Sequence, residues 1–194
     1  MLQSFDWPLL HQSAIKRRIL TFGLWLSALT VISNPASARP FTGIEELENL
    51  QALAVQSQQQ QLPIMLMFGA EWCEYCEQLR QEVLDPMVAG GLYEGKVVLM
   101  RHVGVDERAP LLEWSGHSVK KADWAYQLDA DLTPTILFFN SRGQEVAPRI
   151  VGIAEITLFT NVIHRSLNIA YRNMGLDKQI PPTAELLEKQ SKLE

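Results

Sequence analysis

Apolar positions recur at helical spacing at Ile44, Leu47, Leu50, Leu53 and Ala54, within "FTGIEELENLQALAVQSQQQQ". Thr42 with Glu45 three residues on has the form of a capping box, so this segment predicts a helix that ends in a solvated glutamine-rich tail. The run "LPIMLMFGA" is continuously apolar after a proline and predicts a buried strand. A helix is expected from Glu74 to Val83, ended by Asp85-Pro86 and followed by a loop at Gly90-Gly91. "KVVLMRHVGVD" fits an interior strand, because its alternation is too loose for a half-exposed one.

Residues 107–121 lack a clean period and read as a loop or short-helix insertion, followed by a short helix in "ADWAYQLDA". "DLTPTILFFNSRGQEVAPRIVGI" predicts two strands joined by a turn at Asn140-Ser141-Arg142-Gly143. A last amphipathic helix is expected from Ala154 to Arg172, with Ile156, Phe159, Val162, Ile163 and Leu167 on one face. The residues after Gly175 are polar and read as a loosely attached tail. Strands separated by helices pair in parallel, and a terminal hairpin adds antiparallel strands. The expectation is an α/β fold with a mixed sheet of about four strands and helices on both faces.

The first 38 residues stand apart. Lys16, Arg17 and Arg18 precede an uncharged run from Ile19 to Ser33, and Ala36-Ser37-Ala38 follows. A positive flank, a short apolar run and a small-residue site describe a secretory signal, read here as cleaved after Ala38 or kept as an anchor. Either way the domain, taken as residues 39–174 with a tail over 175–194, is exported. Losing residues 1–38 removes one acid (Asp6) and three bases (Lys16, Arg17, Arg18), so the formal charge moves from −5 to −7. An acidic domain without a basic run argues against nucleic acid or anionic lipid as partner. At 47% hydrophobic and 20% charged residues, composition supports a packed core and says nothing of activity.

Export changes how the two cysteines are read. Cys73 and Cys76 lie in "MFGAEWCEYCEQLR", where the predicted strand runs into a helix, and an oxidising compartment preserves disulfides. Zinc wants four ligands, and the chain has no second cysteine pair and only scattered histidines, so no metal site is expected. A copper carrier with two sulfur ligands remains an alternative. A structural staple is another, although so short a loop removes little chain entropy. The third is redox exchange. A cysteine at the first turn of a helix has its thiolate stabilised by unpaired N–H groups, and a second cysteine one turn on can resolve a mixed disulfide. In that reading Cys73 is the nucleophile and Cys76 the resolving thiol.

"FGAEWCEYC" resembles the active-site segment of the thioredoxin family, and "LTPTILFF" resembles that family's cis-proline loop and the strand after it. Gly143 and Gly152 also fall where the family has turn glycines, so the likeness runs from about Ile44 to Tyr171. The resemblance implies a thioredoxin fold with an N-terminal helical extension and an insertion before the cis-proline loop. It also implies a cis peptide at Pro134, a Thr133 backbone that pairs with extended substrate, and Trp72 shielding the sulfur. No cofactor beyond the Cys73–Cys76 couple is implied.

Two departures bear on redox poise. The family's buried acid is replaced by Met67, and its buried lysine on the next strand by His102, with Glu71 nearby as a second candidate to compensate. Glu74-Tyr75 stands between the cysteines, and a carboxylate beside a thiolate raises the thiol's pKa, which favours a reductant over an oxidant. Export, the insertion and Thr133 together resemble the periplasmic SoxW-type and Dsb-like members. These imply client proteins with disulfides or thiols and a membrane-bound electron donor, with a thiol oxidase, an isomerase or a non-catalytic carrier as alternatives.

Overall fold

The computed structural model describes residues 43–193. The signal or anchor reading of residues 1–38 lies outside the described residues. No helix among the described residues is long and apolar enough to cross a membrane.

The centre is β2 (Ile64–Gly69), buried at all six positions. It pairs in parallel with β3 (Leu99–Gly104) and antiparallel with β6 (Thr135–Phe139), with Ile64 opposite both Leu99 and Phe139. β7 (Glu145–Val151) continues the sheet antiparallel to β6, and the two-residue strand β1 (Glu45–Glu46) lies parallel along the free edge of β3. The order β1-β3-β2-β6-β7 is the expected mixed sheet, enlarged by one short edge strand. Alternation along β2 feeds two cores. Met65 and Met67 pack with Cys76, Leu79, Ile163 and Leu167, while Ile64, Leu66 and Phe68 pack with Leu50, Leu53 and Trp124.

The N-terminal prediction fails in an informative way. Residues 45–46 are extended, and α1 spans only Leu50–Gln60, capped by the Asn49 side chain, which accepts from the Ala52 N–H at 3.0 Å. Thr42 lies outside the described residues. Ile44 and Leu47 are buried all the same, because the edge of β3 offers backbone partners: the Leu47 N–H donates to the His102 carbonyl at 2.7 Å.

Asp85-Pro86 does not end the second helix. α2 (Glu74–Leu79) runs through a π-helical turn over Arg80–Leu84 into α3 (Asp85–Ala89). Pro86 has no N–H to donate, and a widened turn just before it absorbs the lost bond without breaking the rod. Asp85 then accepts the Ile44 N–H at 2.9 Å, tying the entering chain to this helix.

The 107–121 insertion forms a small hairpin of β4 (Leu111–Leu112) and β5 (Ser118–Val119), which leads into α4 (Lys121–Gln127). At the β6–β7 turn the Asn140 side chain accepts from the N–H groups of Arg142 and Gln144, and Gly143 takes φ +73° beneath the Trp114 ring. The last predicted helix begins with a 3-10 turn (Ile156–Leu158) and continues as α5 (Phe159–Asn173). The expected loose tail after Gly175 packs instead. It carries α6 (Ala184–Ser191), buries Ile180 and Leu187 in the core, and is pinned by His164, whose Nδ1 meets the Pro181 carbonyl at 2.6 Å.

Candidate active site

The chain leaves β2 at Gly69 and is held by the loop after β3. The Val105 N–H donates to the Gly69 carbonyl at 2.8 Å, and the Glu71 N–H donates to Asp106 at 2.9 Å. Cys73 follows as the N-cap of α2. Its carbonyl accepts from the Cys76 and Glu77 N–H groups at 3.0 and 3.1 Å, and its Sγ also lies 3.2 Å from the Cys76 nitrogen. The two cysteines form a disulfide with Cα atoms 5.2 Å apart. Both cysteines are buried, Cys73 at 6% and Cys76 at 2% exposed.

The second motif arrives through sheet register. Phe68 is opposite Thr135, so the preceding Thr133-Pro134 stands at the same end of the sheet from which the chain departs toward Cys73. The Thr133-Pro134 peptide is cis. Pro134 is buried, and its carbonyl accepts from the Gly152 N–H at 2.8 Å, while the Thr135 hydroxyl donates to the Leu132 carbonyl at 2.6 Å. The described residues give the half-buried Thr133 backbone no hydrogen-bond partner. Trp72, Tyr75 and Leu132 are 72%, 65% and 68% exposed, so large apolar side chains adjoin both motifs. Glu74 is exposed between the cysteines.

On its inner side the disulfide meets a group of charges that sequence reasoning did not assemble. A cavity of about 340 Å³ is lined by Cys76, Glu46, His102, Arg80 and Glu107, among others. Met67 contributes only packing to the core here. His102 Nδ1 is hydrogen-bonded to Glu46 Oε2. The other oxygen of Glu46 accepts from the Gly104 N–H at 2.8 Å and from Lys121 Nζ at 2.5 Å, and Nζ also reaches Glu107 at 2.6 Å. Burial pushes the Glu46 carboxyl up, but its bonds to His102, Gly104 and Lys121 outweigh that and hold it below its ordinary value. Burial likewise pulls Lys121 down, and the carboxylates of Glu107 and Glu46 more than reverse the shift.

The resemblance pointed to β2 and β3 for a buried acid and a buried lysine. The structure draws them from β1 and α4. Glu46 was missed because its segment reads as helical. Lys121 was missed because it closes an aperiodic stretch beside a second lysine. Among the described residues no group of three His, Cys, Asp or Glu is arranged to hold a metal ion.

Residues 50–166 match the family model of the thioredoxin-like domain. The chain belongs to the thioredoxin-like family. A thioredoxin-like fold with a Cys-x-x-Cys disulfide is a thiol–disulfide oxidoreductase, so Cys73 and Cys76 form a dithiol/disulfide couple.

Among curated proteins the chain is 31% identical over 127 residues to the thiol:disulfide interchange protein DsbD of Salmonella typhimurium. That match covers 64% of this chain and 20% of the relative's length. A solved DsbH oxidoreductase overlays with a TM-score of 0.49 at 17% identity, covering 69% of this chain and 92% of that one. Oxidised thioredoxin O2 from Arabidopsis thaliana gives 0.43 at 20% identity, covering 64% and 94%. This thioredoxin-like chain carries its cysteine pair and its cis-proline loop at one end of the sheet, with Glu46, His102 and Lys121 behind them.

Proposed function

We propose that the protein is an exported, periplasmic reductase of disulfides in client proteins, drawing its electrons from a membrane-bound donor. The observation that carries the reading is the disulfide at the N-cap of α2, beside a cis-proline loop whose Thr133 backbone has no internal partner. An extended client segment pairs with that backbone as a short added strand, while Trp72, Tyr75 and Leu132 cover its side chains. Similarity to a thiol:disulfide interchange protein supports partners that exchange electrons through thiols.

In the reduced protein the Cys76 N–H and the positive end of the helix face Cys73 Sγ and favour its thiolate. The thiolate attacks one sulfur of the client disulfide. A Cys73–client disulfide forms, and the other client sulfur leaves with the electron pair and takes a proton. Cys76, having lost its proton, attacks Cys73 Sγ. The Cys73–Cys76 disulfide closes and the second client thiolate departs, leaving the client reduced by two electrons and the couple oxidised.

Charge supports the direction. Glu74 adjoins Cys73, and Glu46, Glu71, Glu77, Asp106 and Glu107 line the cavity, outnumbering the guanidinium of Arg80 and the ammonium of Lys121 that pairs with Glu46 and Glu107. Carboxylates disfavour a nearby thiolate, and a less stable thiolate makes a stronger reductant.

The test is turnover of insulin disulfides together with the reduction potential against glutathione. Cys73→Ser abolishes turnover and Cys76→Ser accumulates a covalent client complex. Wild-type turnover by Cys73→Ser would overturn the mechanism, and a potential at the oxidising end of the family range would overturn the direction.

A further inference from the structure

One group near Cys76 has no part in the chemistry so far: the imidazole of His102, which lines the same polar cavity. We propose that His102, oriented by Glu46, is the proton acceptor for Cys76 in the resolving step, acting through water in the cavity that both residues line. The proposal rests on the redox reading above and deepens it.

The tautomer follows from hydrogen bonding. Glu46 is held in its ionised form, and an ionised carboxylate only accepts, so the shared proton sits on His102 Nδ1. Nε2 then carries the lone pair and is the basic atom. It has no hydrogen-bond partner among the described residues. It lies over Gly69, where a Cβ would stand only 2.8 Å away, so the absence of a side chain at Gly69 lets the imidazole reach this position. The charged groups that line the cavity with His102 are Glu46 from β1, Glu77 and Arg80 from the helix, and Glu71, Asp106 and Glu107 from the two loops, with Lys121 bonded to Glu46 and Glu107. Lys121 brings one positive charge against the two carboxylates of Glu46 and Glu107, so an imidazolium formed at His102 finds a counterion in Glu46.

In the step itself, Cys76 Sγ–H gives its proton through water to Nε2, and its electron pair goes to Cys73 Sγ. The Cys73–client bond breaks, and the client thiolate takes a proton as the imidazolium returns to neutral. No oxidant or reductant beyond the dithiol and the client enters. Met67, in the position where the family has its acid, has no group that can take a proton. His102 and Glu46 supply that function from the neighbouring strands.

The experiment mixes reduced protein with excess Ellman's reagent and follows the two released thiolate equivalents separately. The first reports attack by Cys73 and the second reports resolution by Cys76. His102→Gln keeps a hydrogen-bonding side chain without a basic nitrogen. It is expected to slow the second phase by about 10- to 100-fold near neutral pH and to leave the first within about twofold, the range for loss of one acid–base group. The deficit narrows as pH rises and the Cys76 thiol ionises without a base. Free imidazole restores the second phase to His102→Ala.

A second phase in His102→Gln within about twofold of wild type near neutral pH overturns the relay. So does a deficit of equal size at every pH, or a failure of imidazole to rescue His102→Ala, because these are the marks of a structural role. Absence of the first phase from the wild-type protein would instead overturn the redox reading itself.

Discussion

Replacing Lys121 by Met removes one charge from the centre of the Glu46–Lys121–Glu107 group and keeps most of the side-chain volume. The lysine is 1% exposed, and its ammonium touches Glu46 at 2.5 Å and Glu107 at 2.6 Å. Removing one partner from a fully buried pair costs about 3–5 kcal/mol, most of it the penalty on the charge left behind. That figure needs reduction here. Glu46 is 26% exposed and keeps its bonds to His102 and Gly104, while Glu107 is 38% exposed and rehydrates. The expected loss is about 2 kcal/mol, or roughly 4–8 °C in Tm for a chain of this size.

Glu107→Gln leaves Lys121 paired with Glu46 and should cost under about 1 kcal/mol, as solvent-screened pairs do. The assay is urea unfolding of the oxidised protein, followed by near-ultraviolet circular dichroism across pH. Glu46 is held below its ordinary 4.5, so its contribution is present above that pH and is lost as pH falls through the lower folded value. Lys121 is held above its ordinary 10.5, so its contribution is present below that pH and is lost only as pH rises through the higher folded value. The deficit of Lys121→Met should therefore be level from about pH 5 to pH 10 and shrink in acid. A loss under about 0.5 kcal/mol at pH 7, or a deficit that persists undiminished in strong acid, would refute the electrostatic account.

Two further outcomes concern positions away from the site. Gly143→Ala should destabilise by about 1–3 kcal/mol, because φ is +73° and the new Cβ would stand 2.9 Å from the Trp114 ring. Gly95→Ala, at φ +71° with open space around it, should cost only the backbone part, and equal losses in urea unfolding would exclude a role for Trp114. Burial lowers the basicity of His164 against the opposing pull of the Pro181 carbonyl and Glu185, so stability should fall as pH drops below 6.5 toward the folded value. Tyr93, whose hydroxyl lies 2.8 Å from His164 Nε2, is pushed up to about 12 and stays neutral throughout. His164→Gln should flatten the urea midpoint between neutral and mildly acid pH, and an unchanged slope would show that another group sets it.

What the sequence by itself determined was local. A continuous apolar run marked β2, loose alternation marked β3, and "TPTILFF" with its Asn-Ser-Arg-Gly turn marked the hairpin, because burial and left-handed turn positions restrict residue type directly. Cys73 and Cys76 were legible because a Cys-x-x-Cys at a strand-to-helix junction places one sulfur at the cap and the other a turn later. Where a local pattern admits two structures, tertiary packing decided. Ile44-Glu45-Glu46-Leu47 suits a helix face or a short strand flanked by buried residues, and the free edge of β3 chose the strand. Pro86 suits a helix end or a widened turn, and packing of Met87 and Val88 in the core kept the helix going.

The charge group behind Cys76 was beyond local reading for a different reason. Glu46 lies 56 residues from His102 and 75 from Lys121, and no periodicity links three polar residues on separate elements. Only parallel pairing of β1 with β3, and an insertion that delivers α4 with its first residue inward, brings them to one point. The cysteine pair declared the chemistry, and the folded chain alone settled which charges surround it.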